Sequence, residues 1–224
     1  MVTATASRNG KGVASDEAVI TIQPLRIQRI TIPIRGIQPL ITNKFSDEAA
    51  EKLAASQTGP GIKAAKAPRD GQAEFLAARY IVSPAPGGEA DLDICGFPAA
   101  GVKKAMVAAA MRVTEAKGTW VRAILNVEGE GDSGLVSISA PAPQMRTDHV
   151  VQAGRGNLRY RPAFWPWSMK LSITFNTDQI KAQDVVNLVQ QAGFSIGIRD
   201  WRPEKNGQFG TFEVESDSIS VDGK

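Results

Sequence analysis

Apolar residues recur along this chain with two different periods, and the switches between them outline a fold. Ile30, Ile32 and Ile34 fall on one face at period two, with Arg29, Thr31 and Arg35 opposite, as in a half-buried strand. Pro33, in the middle of that run, predicts a sheet edge or a bulge. In "SDEAAEKLAASQ" Ser46 is placed to cap a short helix from about Asp47, with acids in its first turn. "AEFLAARYI" predicts another helix, and "SPAPGGEADLDICGF" a turn followed by a short strand. From Pro98 onward Val102, Ala105, Met106, Ala109 and Val113 recur at the helical spacing that packs one helix face on a sheet. "ILNVEGEGDSGLVSISA" reads as a hairpin around Asp132-Ser133-Gly134. The last third repeats the alternation: Met169, Leu171, Ile173 and Phe175 as a strand, then Val185, Leu188, Val189 and Ala192 as a helical stripe ended by Gly193. Phe212 and Val214 begin a final strand. The order strand, helices, strand, hairpin, strand, helix, strand predicts an α+β fold with helices on one face of a mostly antiparallel sheet. The ferredoxin-like, RRM-like split βαβ arrangement is the economical solution, with hairpins and loops inserted.

The same pass divides the chain. Residues 1–17 are small and polar without a period and predict a disordered arm; 18–216 predict one domain, and 217–224 an acidic tail. Within the domain, "TGPGIKAAKAPRDG" (58–71) reads as an extended mobile loop carrying Lys63, Lys66 and Arg69. It is either a solvated linker or a basic flap that closes over a bound strand. With 42% hydrophobic and 22% charged residues, the 224-residue chain has the composition of a protein that buries a real core. No apolar run approaches the roughly 20 residues of a membrane span, and Met1 to Asp16 lacks the apolar stretch of a signal peptide, so a cytoplasmic protein is expected. One cysteine, Cys95, and one histidine, His149, exclude an internal disulfide and zinc sites built from cysteine or paired histidines; no metal or cofactor is expected.

Charge changes the picture by its distribution rather than its sum of +3. From Gln152 to Lys170, "QAGRGNLRYRPAFWPWSMK" holds Arg155, Arg159, Arg161 and Lys170 without an acid, whereas Glu213, Glu215, Asp217 and Asp222 crowd the C-terminal end. In the basic segment arginines interleave with Tyr160, Phe164, Trp165 and Trp167, the mixture of phosphate-neutralising and stacking side chains that single-strand binders use. The same aromatics also suit a core or a subunit interface. A second candidate is "GFSIGIRDWRPEKNGQFGTFEV" from Gly193 to Val214. Its glycines allow close backbone approach, so that amide N–H groups can face a phosphodiester while Arg199, Arg202 and Lys205 supply charge and Trp201 a stacking face. The alternative is a helix cap, a turn at Asn206-Gly207 and a core aromatic. Lys103 and Lys104 lie off the apolar stripe of their helix and are either solvated or ligand-facing.

Other chemistries fit less well. No Gly-Lys-Ser/Thr occurs, which removes a P-loop, and Gly129-Glu130-Gly131-Asp132-Ser133-Gly134 precedes a strand pattern instead of the helix that a dinucleotide fingerprint needs. The pair Asp91/Asp93 alternates with Leu92 and Ile94, as on an exposed strand face. His149 could serve as the general base of a metal-independent endoribonuclease, with lysine or tyrosine as partners, or belong with Arg146 and Asp148 to a surface ion-pair segment.

The segment "GFSIGIRDWRPEKNGQFGTFEV" resembles the G-φ-G-x(n)-G-φ-G-φ loop of the repeat-associated RNA-binding superfamily, which includes the backbone subunits of CRISPR effector complexes. Gly207-Gln208-Phe209-Gly210-Thr211-Phe212 fits its second half, with Gly193 and Gly197 as the first glycine pair. From about Arg29 to Val214 the chain is also similar to a family of uncharacterised tailed-bacteriophage proteins, through "QPLITNKFSDEA", "GFPAAGVKKAMVAAA", "GRGNLRYRPAFWPWSMKLSI" and "GIRDWRPEKNGQFGTFEV". Together these resemblances imply a modified RNA-recognition-like fold that assembles head to tail on single-stranded DNA or RNA without cutting it. Two other functions stay open. One is a phage structural or host-complex-interacting protein whose aromatic and basic surface meets proteins; the other is the nuclease built on His149.

Overall fold

The computed structural model describes residues 24–45, 51, 54, 69–152 and 154–222. The predicted arm, most of the helix from Asp47, and Lys63 and Lys66 of the basic loop lie outside them. The strands are β1 (Ile27–Gly36), β2 (Leu40–Ile41), β3 (Ile81–Ser83), β4 (Ile94–Pro98), β5 (Leu125–Glu128), β6 (Leu135–Ser137), β7 (Gln144–Gln152), β8 (Arg155–Phe164), β9 (Ser168–Asn176), β10 (Phe212–Val214) and β11 (Ser220–Asp222). The helices are α1 (Gly71–Ala77), α2 (Ala99–Val113), α3 (Gly118–Ile124) and α4 (Ala182–Gln191).

The main sheet runs β10-β1-β9-β5 with every neighbouring pair antiparallel. Taken as β1, α2, β5, β9, α4, β10, the chain forms two split βαβ units whose strands lie in the order fourth, first, third, second. This is an α+β, ferredoxin-like arrangement. Its core is the one the periodicities outline. Ile30, Ile32 and Ile34 of β1 and Leu171, Ile173 and Phe175 of β9 are buried beneath Val102, Ala105, Met106 and Ala109 of α2 and Val185 and Val189 of α4. Small residues on α2 let the helix approach the sheet closely, and each fully buried isoleucine or leucine contributes about 1.5–3 kcal/mol.

Two insertions decorate this frame. One, between β1 and α2, holds β2, α1, β3 and β4; the other, between β5 and β9, holds β6, β7 and β8. They meet in two small sheets, β2-β8-β7 and β3-β4-β6. Helix α1 starts at Asp70, whose carboxylate accepts from the amides of Gln72 and Ala73.

Three local expectations are corrected. Pro33 lies in a strand paired on both sides rather than at an edge. β10 pairs with residues 34–36 of β1 and β11 with residues 29–31, so Pro33 falls in the gap between two partners, where its missing N–H leaves no ladder bond unmade. Residues around Asp132 turn, but β5 and β6 do not pair as a hairpin. A single bridge joins Glu130 to Leu135, after which β5 pairs with β9 and β6 with β4. Gly193 does not end its helix. The chain continues through a wider turn over Ala192–Ile196 and stops at Gly197, which has φ 70°. The acidic segment after Ser216 ends, within the described residues, in β11, which is hydrogen-bonded to β1.

Candidate nucleic-acid interface

The basic-aromatic segment forms one arm of a long hairpin in which β7 and β8 stay in register from Gln144↔Ala163 to Gln152↔Arg155. Because cross-strand partners share a face, Arg146, Arg161, Asp148 and Arg159 lie together on one side. Met145, Thr147, Tyr160, His149, Leu158 and Val151 lie on the other.

On the first face the charges neutralise one another. Arg161 is buried and donates from Nη2 to Asp148 Oδ2 and from Nη1 to Asp200 Oδ2, both at 2.7 Å. Asp148, also buried, accepts from Arg146 Nε at 2.7 Å on its other oxygen. Arg161 therefore holds the hairpin to the loop carrying Asp200 and is not a phosphate contact, which corrects its place among the expected binding residues. Aromatic rings complete the joint. The Arg146 guanidinium lies 4.8 Å from the centre of the Phe209 ring and 5.8 Å from that of Trp201, and Arg161 is also 5.8 Å from Trp201.

The Gly-rich loop is built differently from the expected cradle. Its amides donate to protein carbonyls: Gly197 to Ala192 (2.8 Å), Ile198 to Gly210 (2.9 Å), Gly207 to Arg202 (3.1 Å), Phe209 to Trp201 (3.0 Å) and Gly210 to Pro39 (2.9 Å). A Cβ on Gly207 would lie 1.7 Å from the Trp201 carbonyl oxygen, and one on Gly210, at φ 65°, 2.0 Å from that of Ile198. These glycines let the loop fold on itself and leave those amides none to offer a phosphodiester. What the loop presents is side chain. Trp201 is part-exposed at φ 55°, and Lys205 is exposed.

The remaining basic candidates are distributed as follows. Arg199, at φ 66°, stacks 5.4 Å from the Tyr80 ring, with its Nε buried and without a hydrogen-bond partner. Arg202 is occupied by Glu204 (Nε, 2.9 Å) and the Arg199 carbonyl (2.9 Å), and the hydrogen bonds from Arg202 hold the Glu204 carboxyl below its ordinary range. Arg69 clamps the start of α1 to β8. It bonds Glu74 (2.7 and 2.6 Å), Asn157 and the Leu158 carbonyl (2.8 Å) and lies beside Tyr160. The Glu74 hydrogen bond raises its pKa further. Arg159 is half-buried beside Asp148, and Arg155 heads β8. Lys103 reaches Asn126 at 3.3 Å from α2, where Lys104 is exposed; both belong to the helix layer rather than the hairpin joint.

Trp165 and Trp167 divide the two roles foreseen for aromatics. Trp165 is exposed after β8, with a cis peptide bond to Pro166. Trp167 is buried and donates from its indole to the Gln38 carbonyl at 2.8 Å. The strap of residues 37–40 ties both aromatic regions together. Ile37 donates to Thr211 (2.9 Å) and Pro39 accepts from Gly210, while Leu40 pairs with Phe164. Reasoning from sequence read Arg146 only as an ion-pair neighbour of Asp148, which it is at 2.7 Å, and missed Phe209, Asp200 and Tyr80 at the joint. The R-x-D of β7 facing the R-x-R of β8 was the signal available.

His149 stands exposed on the opposite hairpin face. Asp93 is not on an exposed strand face but pairs with Arg79 at 3.1 Å and accepts from the Ala85 amide at 2.9 Å. Burial pushes the Cys95 thiol pKa up. Among the described residues no group of three or more His, Cys, Asp or Glu side chains could hold a metal ion, and no helix is long and apolar enough to cross a membrane.

No protein-family profile matches this chain. No curated protein matches it either. Among solved structures it is similar to a chain in the cryo-EM structure of the Type III-B Cmr-beta bound to cognate target RNA, at 13% identity and a TM-score of 0.42. The match covers 87% of this chain and 60% of that one, a likeness too distant to place the chain in a family.

Proposed function

We propose that the chain is a non-catalytic cytoplasmic protein that binds single-stranded DNA or RNA with little sequence preference, and that copies line up head to tail along the strand. The observation that carries this reading is the joint of hairpin and Gly-rich loop, where a cation and a ring face are both available. The Arg146 side chain is 37% exposed and Trp201 41%. Among the described residues Asp148 occupies only Nε of Arg146, leaving both terminal nitrogens for a phosphate oxygen. Trp165, after β8, offers a second exposed ring. Ring faces and guanidinium groups accept any base and any phosphate, hence the weak sequence preference.

The test is anisotropy of labelled single strands titrated at about 50 and 200 mM salt. Trp201→Ala should weaken binding about tenfold, within the 1–3 kcal/mol that one base–aromatic stack contributes. Arg146→Gln should reduce the log–log salt slope by about 0.7. Absence of salt-sensitive binding by the unaltered protein overturns the proposal.

A second reading, in which a phage-encoded chain acts through protein contacts, draws on the other hairpin face. There Met145, Val151 and Leu158 are all exposed beside His149. That reading expects stable assembly in the absence of nucleic acid.

A further inference from the structure

The face of the main sheet turned away from the helices is polar, and its residues fall into cross-strand rows. Asp222, Arg29, Thr174 and Asn126 form one row; Ser220, Thr31, Ser172 and Glu128 another; and Glu213, Arg35 and Ser168 a third. Lys170 stands exposed between the last two. Cations and hydroxyls of this kind suit a phosphodiester backbone. Each arginine, however, meets an acid of its own chain. Arg29 donates to Glu128 at 3.0 Å and stands in register with Asp222, while Arg35 pairs with Glu213. Glu215 and Asp217 line a shallow cleft with Arg35 and Glu213.

The last part of the segment that supplies most of these acids is lightly held. All three residues of β11 are exposed, and the Arg29 and Arg35 side chains are 51% and 63% exposed. Exposed ion pairs add little net stability and exchange readily for another anion. The face also continues the interface described above, because Arg35 leads through Gly36 into the strap that ties the Gly-rich loop to Trp167 and to the end of β8.

We propose that this face is a second phosphate-binding track, which the acidic C-terminal segment occupies when no strand is bound. The track rests on the nucleic-acid reading and deepens it. The segment lowers affinity in the free protein and gives way to the phosphodiester backbone of a single strand.

A four-site variant, Glu213→Gln/Glu215→Gln/Asp217→Asn/Asp222→Asn, is compared with a charge-matched control at exposed acids elsewhere, Glu89→Gln/Glu115→Gln/Asp132→Asn/Asp184→Asn. Both are titrated against a labelled single-stranded oligonucleotide. The tail variant should bind about tenfold more tightly at ~50 mM salt, with a log–log slope steeper by about 1.4, the increment of two further phosphates. Adding Arg29→Gln/Arg35→Gln to the tail variant should remove that gain. A control that gains as much assigns the effect to net charge and overturns the track, as does a tail variant that binds no better than the unaltered chain. If neither the unaltered chain nor the tail variant binds, the nucleic-acid reading falls and the track falls with it.

Discussion

Two regions of this molecule set arginines against carboxylates, and they differ mainly in access to water. At the joint between hairpin and Gly-rich loop, the Arg161 and Asp148 side chains are 5% and 4% exposed. On the open sheet face, Arg29 and Arg35 are more than half exposed. A buried pair is screened little and leaves an uncompensated charge when one partner is lost, so it fixes geometry. An exposed pair is screened by salt and contributes little, so its carboxylate is replaceable. The same chemistry thus makes a fixed joint in one place and an exchangeable surface in the other.

The largest effect is expected where that contrast is sharpest. Arg161→Ala removes the buried guanidinium that joins Asp148 to Asp200 and should cost about 3–5 kcal/mol in urea unfolding. In a domain of this size the melting temperature should fall on the order of 10 °C. Arg161→Met combined with Asp148→Leu should recover much of the loss, since apolar replacement of a whole buried pair is often neutral. A single variant that loses under about 1 kcal/mol shows that the joint behaves like a surface pair.

This joint also shows where the sequence stops being legible. β1, β9, α2 and α4 could be read because each buries one face, and one-sided burial writes a period into the chain. The basic stretch from Gln152 to Lys170 looked open to an anion because it contains no acid. Its acids come from elsewhere, Asp148 across the hairpin and Asp200 from a loop 39 residues beyond Arg161. Counting charge along a segment cannot show that. The glycines misled for a related reason, since close backbone approach looks the same in sequence whether the neighbour is a ligand or the loop's own carbonyl. α3 went unread because "GTWVRAI" is short and has no side-chain cap.

A smaller effect is expected within the loop. On Gly207→Ala the new Cβ meets the Trp201 carbonyl at 1.7 Å, so the backbone must shift. About 1–3 kcal/mol should be lost, as in other overpacked sites, and Trp201 should move off Phe209. A changed tryptophan emission maximum together with the lower urea midpoint checks this. An unaltered midpoint shows instead that the loop is loose enough to absorb a methyl group.

The smallest effect belongs to the sheet face, and it decides whether the two regions differ in kind. Arg35→Gln removes an exposed pair with Glu213 and should change stability by less than about 1 kcal/mol. Raising salt to about 1 M, where the screening length falls to about 3 Å, should erase even that difference. The cost of Arg161→Ala should persist at the same salt, because water and ions do not reach between Arg161 and Asp148. If Arg35→Gln proves as costly as Arg161→Ala and as insensitive to salt, exposure does not separate the two regions, and the sheet face is as fixed as the joint.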